Sequence, residues 1–174
     1  MNKGLLMVYT GNGKGKTTSA LGMAMRSAGH GMKVCIVQFI KSEGKYGELE
    51  ACKRFTHEID LRVMGRGFTF RSDDLEKDRK KAREAWEYSQ QAMFSGDYHL
   101  VILDEFTYLL NYGMIDMDNA LDVFSKKPGN LHVAITARDA PRQIINAADL
   151  VTEMREVKHP FKDAGVIGQK GIEF

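Results

Sequence analysis

The chain has 174 residues, 43% hydrophobic and 28% charged with three prolines, which suits a single packed domain over residues 1–174 and excludes a disordered chain. A net charge of +2 gives no argument for a nucleic-acid partner, and the longest apolar run near the start, Leu5 to Tyr9, is too short for a signal peptide or membrane span. Cys35 and Cys52 lack metal-ligand spacing and fit a reducing, cytoplasmic setting, Cys35 as a small core residue and Cys52 as a partly exposed one.

In chain order, Leu5 to Tyr9 reads as a buried strand running into a glycine-rich loop. Helix formers begin at Lys16, and Gly29 and Gly31 should stop that helix. Val34 to Ile40 is a second buried strand, apolar on both faces apart from Gln38, as a covered parallel strand should be. Tyr46 to Phe55 suggests a short helix and Leu61 to Met64 a third strand, leading into GFTF. Ser72 then fits a helix cap, with Asp73 and Asp74 in the first turn of a long helix reaching Met93. Leu75, Ala82, Trp86 and Met93 share one face of it, and its cluster Arg79, Lys80, Lys81 and Arg83 reads as a solvated surface.

Leu100 to Glu105 is another buried strand, ending in two acids. Asp116 to Phe124 suggests a helix, Pro128-Gly129 a turn, His132 to Arg138 a strand and Ala140 to Ala148 a short helix. Val151 to Val157 alternates and should be an edge strand, and Lys158 to Phe174 shows little periodicity. Strand and helix alternate throughout, which predicts a three-layer α/β fold. Its central sheet should be mostly parallel, with the site at the C-terminal strand ends.

The loop is the clearest chemical signal. The usual phosphate-binding pattern is G-x-x-x-x-G-K-[ST], but Thr10 stands where its first glycine belongs, and the first glycine is Gly11. Gly11, Gly13 and Gly15 still permit a tight turn whose N–H groups cradle phosphate. Lys16 would reach phosphate oxygens, and Thr17 would place its hydroxyl on a magnesium ion. Downstream, Asp104 and Glu105 follow an apolar strand, where an acid on the metal side is expected. These residues leave the chemistry open among phosphoryl transfer, hydrolysis and switching. Glu105, Arg138 and Arg155 are undecided candidates for base or charge stabiliser.

Six segments occur in order from about Gly4 to Phe174: TGNGKGKTTSALGMAMRSAGHG, IVQFIK, GFTF, VILDEFTYLLNYGMI, TARDAP and ADLVTEMREVKHPFKDAGVIGQKGIEF. Together they resemble the P-loop family of ATP:corrinoid adenosyltransferases, and the shifted loop is itself a mark of that family. The resemblance implies a RecA-type P-loop NTPase fold. It also implies transfer of the 5′-deoxyadenosyl group of ATP to a reduced corrinoid, with triphosphate leaving. Co(I) is already a strong nucleophile, so no general base is needed, and ATP is understood to lie reversed in the loop compared with kinases. The rivals are a small ATPase or nucleotide kinase and a nucleotide-switched binding module.

Carried over residue by residue, the resemblance gives Gly11, Asn12, Gly13, Lys14, Gly15, Lys16, Thr17 and Thr18 to the phosphates. It gives Lys16 and Glu105 to catalysis, and Thr17, Asp104 and Glu105 to Mg²⁺ or Mn²⁺. Arg26 matches a nucleotide contact, and Lys158 and His159 match residues that close over the nucleoside. Phe68 and Phe70 would press on the lower face of the corrin, easing reduction of Co(II). Phe70 stands where tryptophan is common, giving a smaller wedge, and Ala137 replaces a common glycine. The resemblance also implies a homodimer and a flavoprotein reductant. The start, about ten residues before the loop, predicts that a corrinoid-covering segment is absent, replaced or borrowed from a second subunit.

Overall fold

Apolar runs of strand length become six strands: β1 (Leu6–Thr10), β2 (Val34–Gln38), β3 (Ile59–Val63), β4 (Leu100–Asp104), β5 (His132–Thr136) and β6 (Leu150–Glu153). The helices are α1 (Lys16–Ala28), α2 (Gly47–Cys52), α3 (Leu75–Phe94), α4 (Thr107–Asn111), α5 (Met117–Lys126), α6 (Arg142–Ala147) and α7 (Pro160–Ala164). This is a computed structural model, and it describes residues 3–42, 44, 46–67 and 75–173. Phe68, Phe70 and the expected cap at Ser72 lie outside the described residues.

The strands form one sheet in the order β3-β2-β4-β5-β1-β6, parallel at every pairing. Parallel strands buried on both faces read as near-continuous apolar runs, and β2 and β4 are buried throughout and apolar up to their last residues, Gln38 and Asp104. Val34, Ile36, Leu100, Ile102 and Ala134 pack with Ala20, Ala24 and Ala28 of α1. Small residues four apart on α1 let that helix lie close to the sheet. Cys35, Val37, Val101, Leu103, Val133 and Ile135 point the other way, into a core with Trp86, Met93, Val123, Phe124 and Ile144 from α3, α5 and α6. The result is the expected three-layer α/β fold, with a central sheet that is parallel throughout.

Element ends moved for local reasons. β6 was expected over Val151 to Val157 but stops at Glu153, because Met154 turns over the phosphate loop and accepts a hydrogen bond from the Gly13 N–H at 2.6 Å. All four β6 residues are exposed at the sheet edge, so its alternation reflects no buried face. β5 ends at Thr136, short of Arg138. Two short helices have no signal in the sequence. α4 follows β4 directly. α7 has Pro160 in its first turn and is capped by His159, whose ring accepts from the N–H groups of Phe161 and Lys162.

Candidate nucleotide site

Sheet geometry sets the site. On β2, β4 and β5 the last residue facing α1 is polar: Gln38, Asp104 and Thr136. Gln38 and Asp104 are register partners, and Thr136 lies one step beyond the Leu103–Ile135 pair. The first turn of α1 rests above this row. The Thr17 hydroxyl donates to Asp104 Oδ1 at 2.8 Å, and the Thr136 hydroxyl donates to the same oxygen at 2.7 Å. Gln38 Nε2 donates to Asp104 Oδ2 at 3.2 Å. Asp104, 1% exposed, is therefore a buried carboxylate held on both oxygens, as a buried charge must be.

The loop between β1 and α1 depends on its glycines. Gly15 caps α1 with φ 106°, and Gly11 has φ 96°, conformations that side chains resist. A Cβ on Gly13 would meet Met154 O at 2.6 Å and Arg155 O at 2.8 Å. The loop is thus pressed against the chain leaving β6. Lys16 Nζ donates to Gly11 O at 2.7 Å and Gly13 O at 2.6 Å, which centres its charge inside the loop. Burial lowers its pKa below the ordinary lysine value, and Arg138 lowers it further.

Thr10 explains the shifted motif. Its side chain is nearly buried, donating to Arg138 O at 3.3 Å and accepting from Ala140 N–H at 3.1 Å. A side chain ties the end of β1 to the segment after β5 where the usual pattern has none.

Glu105 has φ 63°, the one positive value at a non-glycine among the described residues. Its N–H donates to Thr136 Oγ1 at 2.9 Å, and Phe106, wholly buried beside Trp86 and Phe124, anchors the next residue. Backbone strain of this kind is held by its surroundings and gathers at functional sites. Burial, with the neighbouring Asp104 charge, pushes its carboxyl up to about 7.

These groups open on a cleft of about 510 Å³, lined by Lys14 to Thr18, Lys41, Glu48, Glu105, Arg138 and the tail at Ile172 and Glu173, among others. That volume falls in the small-molecule range of about 300–1,000 Å³. A hollow of about 610 Å³ lies at the β3 edge, around Asp60, Arg62 and Tyr98. There Asp60 already accepts from Tyr88, Tyr98 and Arg62, and no phosphate-binding loop opens on it. The smaller cleft, onto which the glycine-rich loop opens, is the candidate ligand site.

A family description, ATP:corrinoid adenosyltransferase BtuR/CobO/CobP, matches residues 2–174. The chain belongs to this family. It is 46% identical over 172 residues to a corrinoid adenosyltransferase of Pseudomonas aeruginosa, covering 99% of this chain and 84% of that one. It is 40% identical to that of Escherichia coli K12 and 38% identical to the corrinoid adenosyltransferase CobA of Salmonella typhimurium, each over 99% of this chain and 86% of the other.

The structure gathers most of the anticipated residues and leaves some apart. Lys14, Gly15, Lys16, Thr17, Thr18 and Glu105 line the cleft. Asp104 lies beneath them, and Gly11 and Gly13 offer their carbonyls to Lys16 from within the loop. Asn12 is exposed on the loop. Arg26 is exposed in the last turn of α1, roughly 15 Å along the helix from Lys16 at 1.5 Å per residue. Lys158 is exposed and outside the cleft lining, and His159 is occupied as the α7 cap. Two groups of the site were not singled out beforehand. Lys41, paired with Glu48, enters from the segment after β2. Glu173 reaches Lys14 at 3.0 Å. The lysine of IVQFIK and the acid of QKGIEF were visible in sequence, but no local pattern gives a loop-to-tail contact.

Proposed function

We propose that this chain transfers the 5′-deoxyadenosyl group of ATP to Co(I) of a corrinoid and releases triphosphate. The observation that carries the proposal is a complete phosphate loop with a buried acid at Thr17, in a chain that matches the adenosyltransferase family over residues 2–174. The electron pair of Co(I) forms the new Co–C5′ bond. The C5′–O bond breaks, and its pair leaves with the triphosphate oxygen. This substitution needs no protein nucleophile, so the protein acts by orientation and by stabilising developing negative charge. Lys16, Lys14, Arg138 and the loop N–H groups supply that stabilisation. Binding of triphosphate must draw Lys16 from the carbonyls of Gly11 and Gly13 and Lys14 from Glu173.

Magnesium or manganese fits this site. Thr17 and Asp104 place a hydroxyl and a carboxylate 2.8 Å apart at the loop, and no group of three or more metal-ligating side chains occurs among the described residues. Mg²⁺ is commonly bound by one or two carboxylates together with substrate phosphates. Thr17 and Asp104 would hold it, with Glu105 beside them, and when bound it supplies charge neutralisation at the triphosphate. Phe68 and Phe70 as the corrin-facing wedge, a homodimeric assembly, a flavoprotein electron donor and a cytoplasmic setting complete the proposal. No helix among the described residues is long and apolar enough to cross a membrane.

The wedge has its own test. Phe70→Ala should slow the reaction starting from Co(II) plus a reductant more than the reaction from preformed Co(I). Equal losses would remove the wedge role.

A further inference from the structure

Gln38 is the one polar side chain of β2, a strand otherwise made of Val, Cys and Ile. It is 1% exposed. Its amide nitrogen lies between two carboxylates, 3.2 Å from Asp104 Oδ2 and 3.5 Å from Glu48 Oε1. Its Oε1 is buried without a hydrogen-bond partner. Leaving a buried amide oxygen unpaired costs stability, and a branched apolar residue would satisfy the strand better. The reverse orientation would face that oxygen toward two acids and lose both contacts. The amide is thus fixed with its donors toward the carboxylates, at a cost that packing alone does not explain.

The consequence lies at Asp104. Oδ1 already takes the Thr17 and Thr136 hydroxyls. Gln38 holds Oδ2, so the carboxylate cannot rotate about its Cβ–Cγ bond without breaking a bond at one end or the other. We infer that Gln38 is a positioning residue: it locks the Asp104 carboxylate in the orientation that Thr17 and a triphosphate-bound divalent cation need. Through Glu48 and its partner Lys41, which also line the cleft, the lock also ties α2 to the phosphate loop. The inference rests on the proposed magnesium site. Partners that orient a metal-side carboxylate are commonly worth tenfold to a hundredfold in metal affinity.

The test is calorimetric titration of ATP into the protein with EDTA and with saturating Mg²⁺, for the parent and for Gln38→Leu, together with thermal unfolding. The parent should bind ATP more tightly with Mg²⁺. Gln38→Leu leaves Asp104 Oδ2 without its donor and should unfold at a somewhat lower temperature, yet still fold, keep its EDTA affinity, and lose at least tenfold of the Mg²⁺ increment. A Leu variant whose increment stays within twofold of the parent's overturns the lock. If the Leu variant does not fold, Gln38→Met, unbranched and of similar length, takes its place with the same criteria. A parent with no Mg²⁺ increment overturns the magnesium reading and the lock together, which separates that failure from failure of the lock alone.

Discussion

Lys16 and Glu105 carry the site's electrostatics at the residue scale, and they pull in opposite directions. Lys16 is a partly buried cation held by two loop carbonyls, which the proposed triphosphate would replace. Lys16→Ala should lower kcat by about a hundredfold or more, the scale for losing a charge-stabilising donor; a near-parental kcat would remove its assigned role. Glu105 has a folded-state pKa of about 7 against 4.5 for the free side chain. The folded protein therefore binds more protons than the unfolded chain between these values, so this group's contribution to stability falls as pH rises from 4.5 through 7. Glu105→Gln removes the penalty. In metal-free buffer the variant should match the parent near pH 4.5 and exceed it by about 3 kcal/mol at pH 8. A gain independent of pH in denaturant titrations would show that strain or packing, not charge, is responsible.

Element ends, more than element interiors, decide what this fold can do. Thr10 closes β1 onto the segment after β5 through two hydrogen bonds. Thr10→Gly would restore the usual loop pattern, yet it should destabilise the protein. It leaves the Ala140 N–H unpaired and adds backbone freedom, about 2–3 kcal/mol together, without improving ATP affinity. A thermal midpoint lowered by roughly 5–10 °C is expected; an unchanged midpoint would remove Thr10 as a structural tie. The same logic explains what was legible in the sequence. Strand interiors such as LVILD and the glycine spacing of the loop are local patterns, so sheet, loop and acid were readable together. The end of β6 was not, because Gly13 and Met154, far apart in sequence, set it by contact. Short helices were missed for a similar reason: α4 and α7 have five residues each, too few to show a helical period. The positive φ of Glu105 has no sequence signal, since it is imposed by the buried Phe106 and Thr136 on either side.

At the scale of the whole molecule, one parallel sheet sends its polar strand ends to a single edge, where the loop, the buried Asp104 and the tail meet. β6 is exposed at all four residues, and after it Val157, Phe161 and Ile167 are exposed apolar side chains. This surface is consistent with the proposed homodimer, which predicts a sedimentation mass of twice the chain; a single-chain mass at micromolar concentration would contradict it. The central claim concerns chemistry, and one anaerobic incubation tests it most directly: protein, ATP, Mg²⁺ and chemically reduced cobalamin, followed by visible spectrum and phosphate products. The account predicts a light-sensitive Co–C product formed in equal amount with triphosphate. ADP and phosphate without alkylated corrinoid, or ATP bound without turnover, would contradict it.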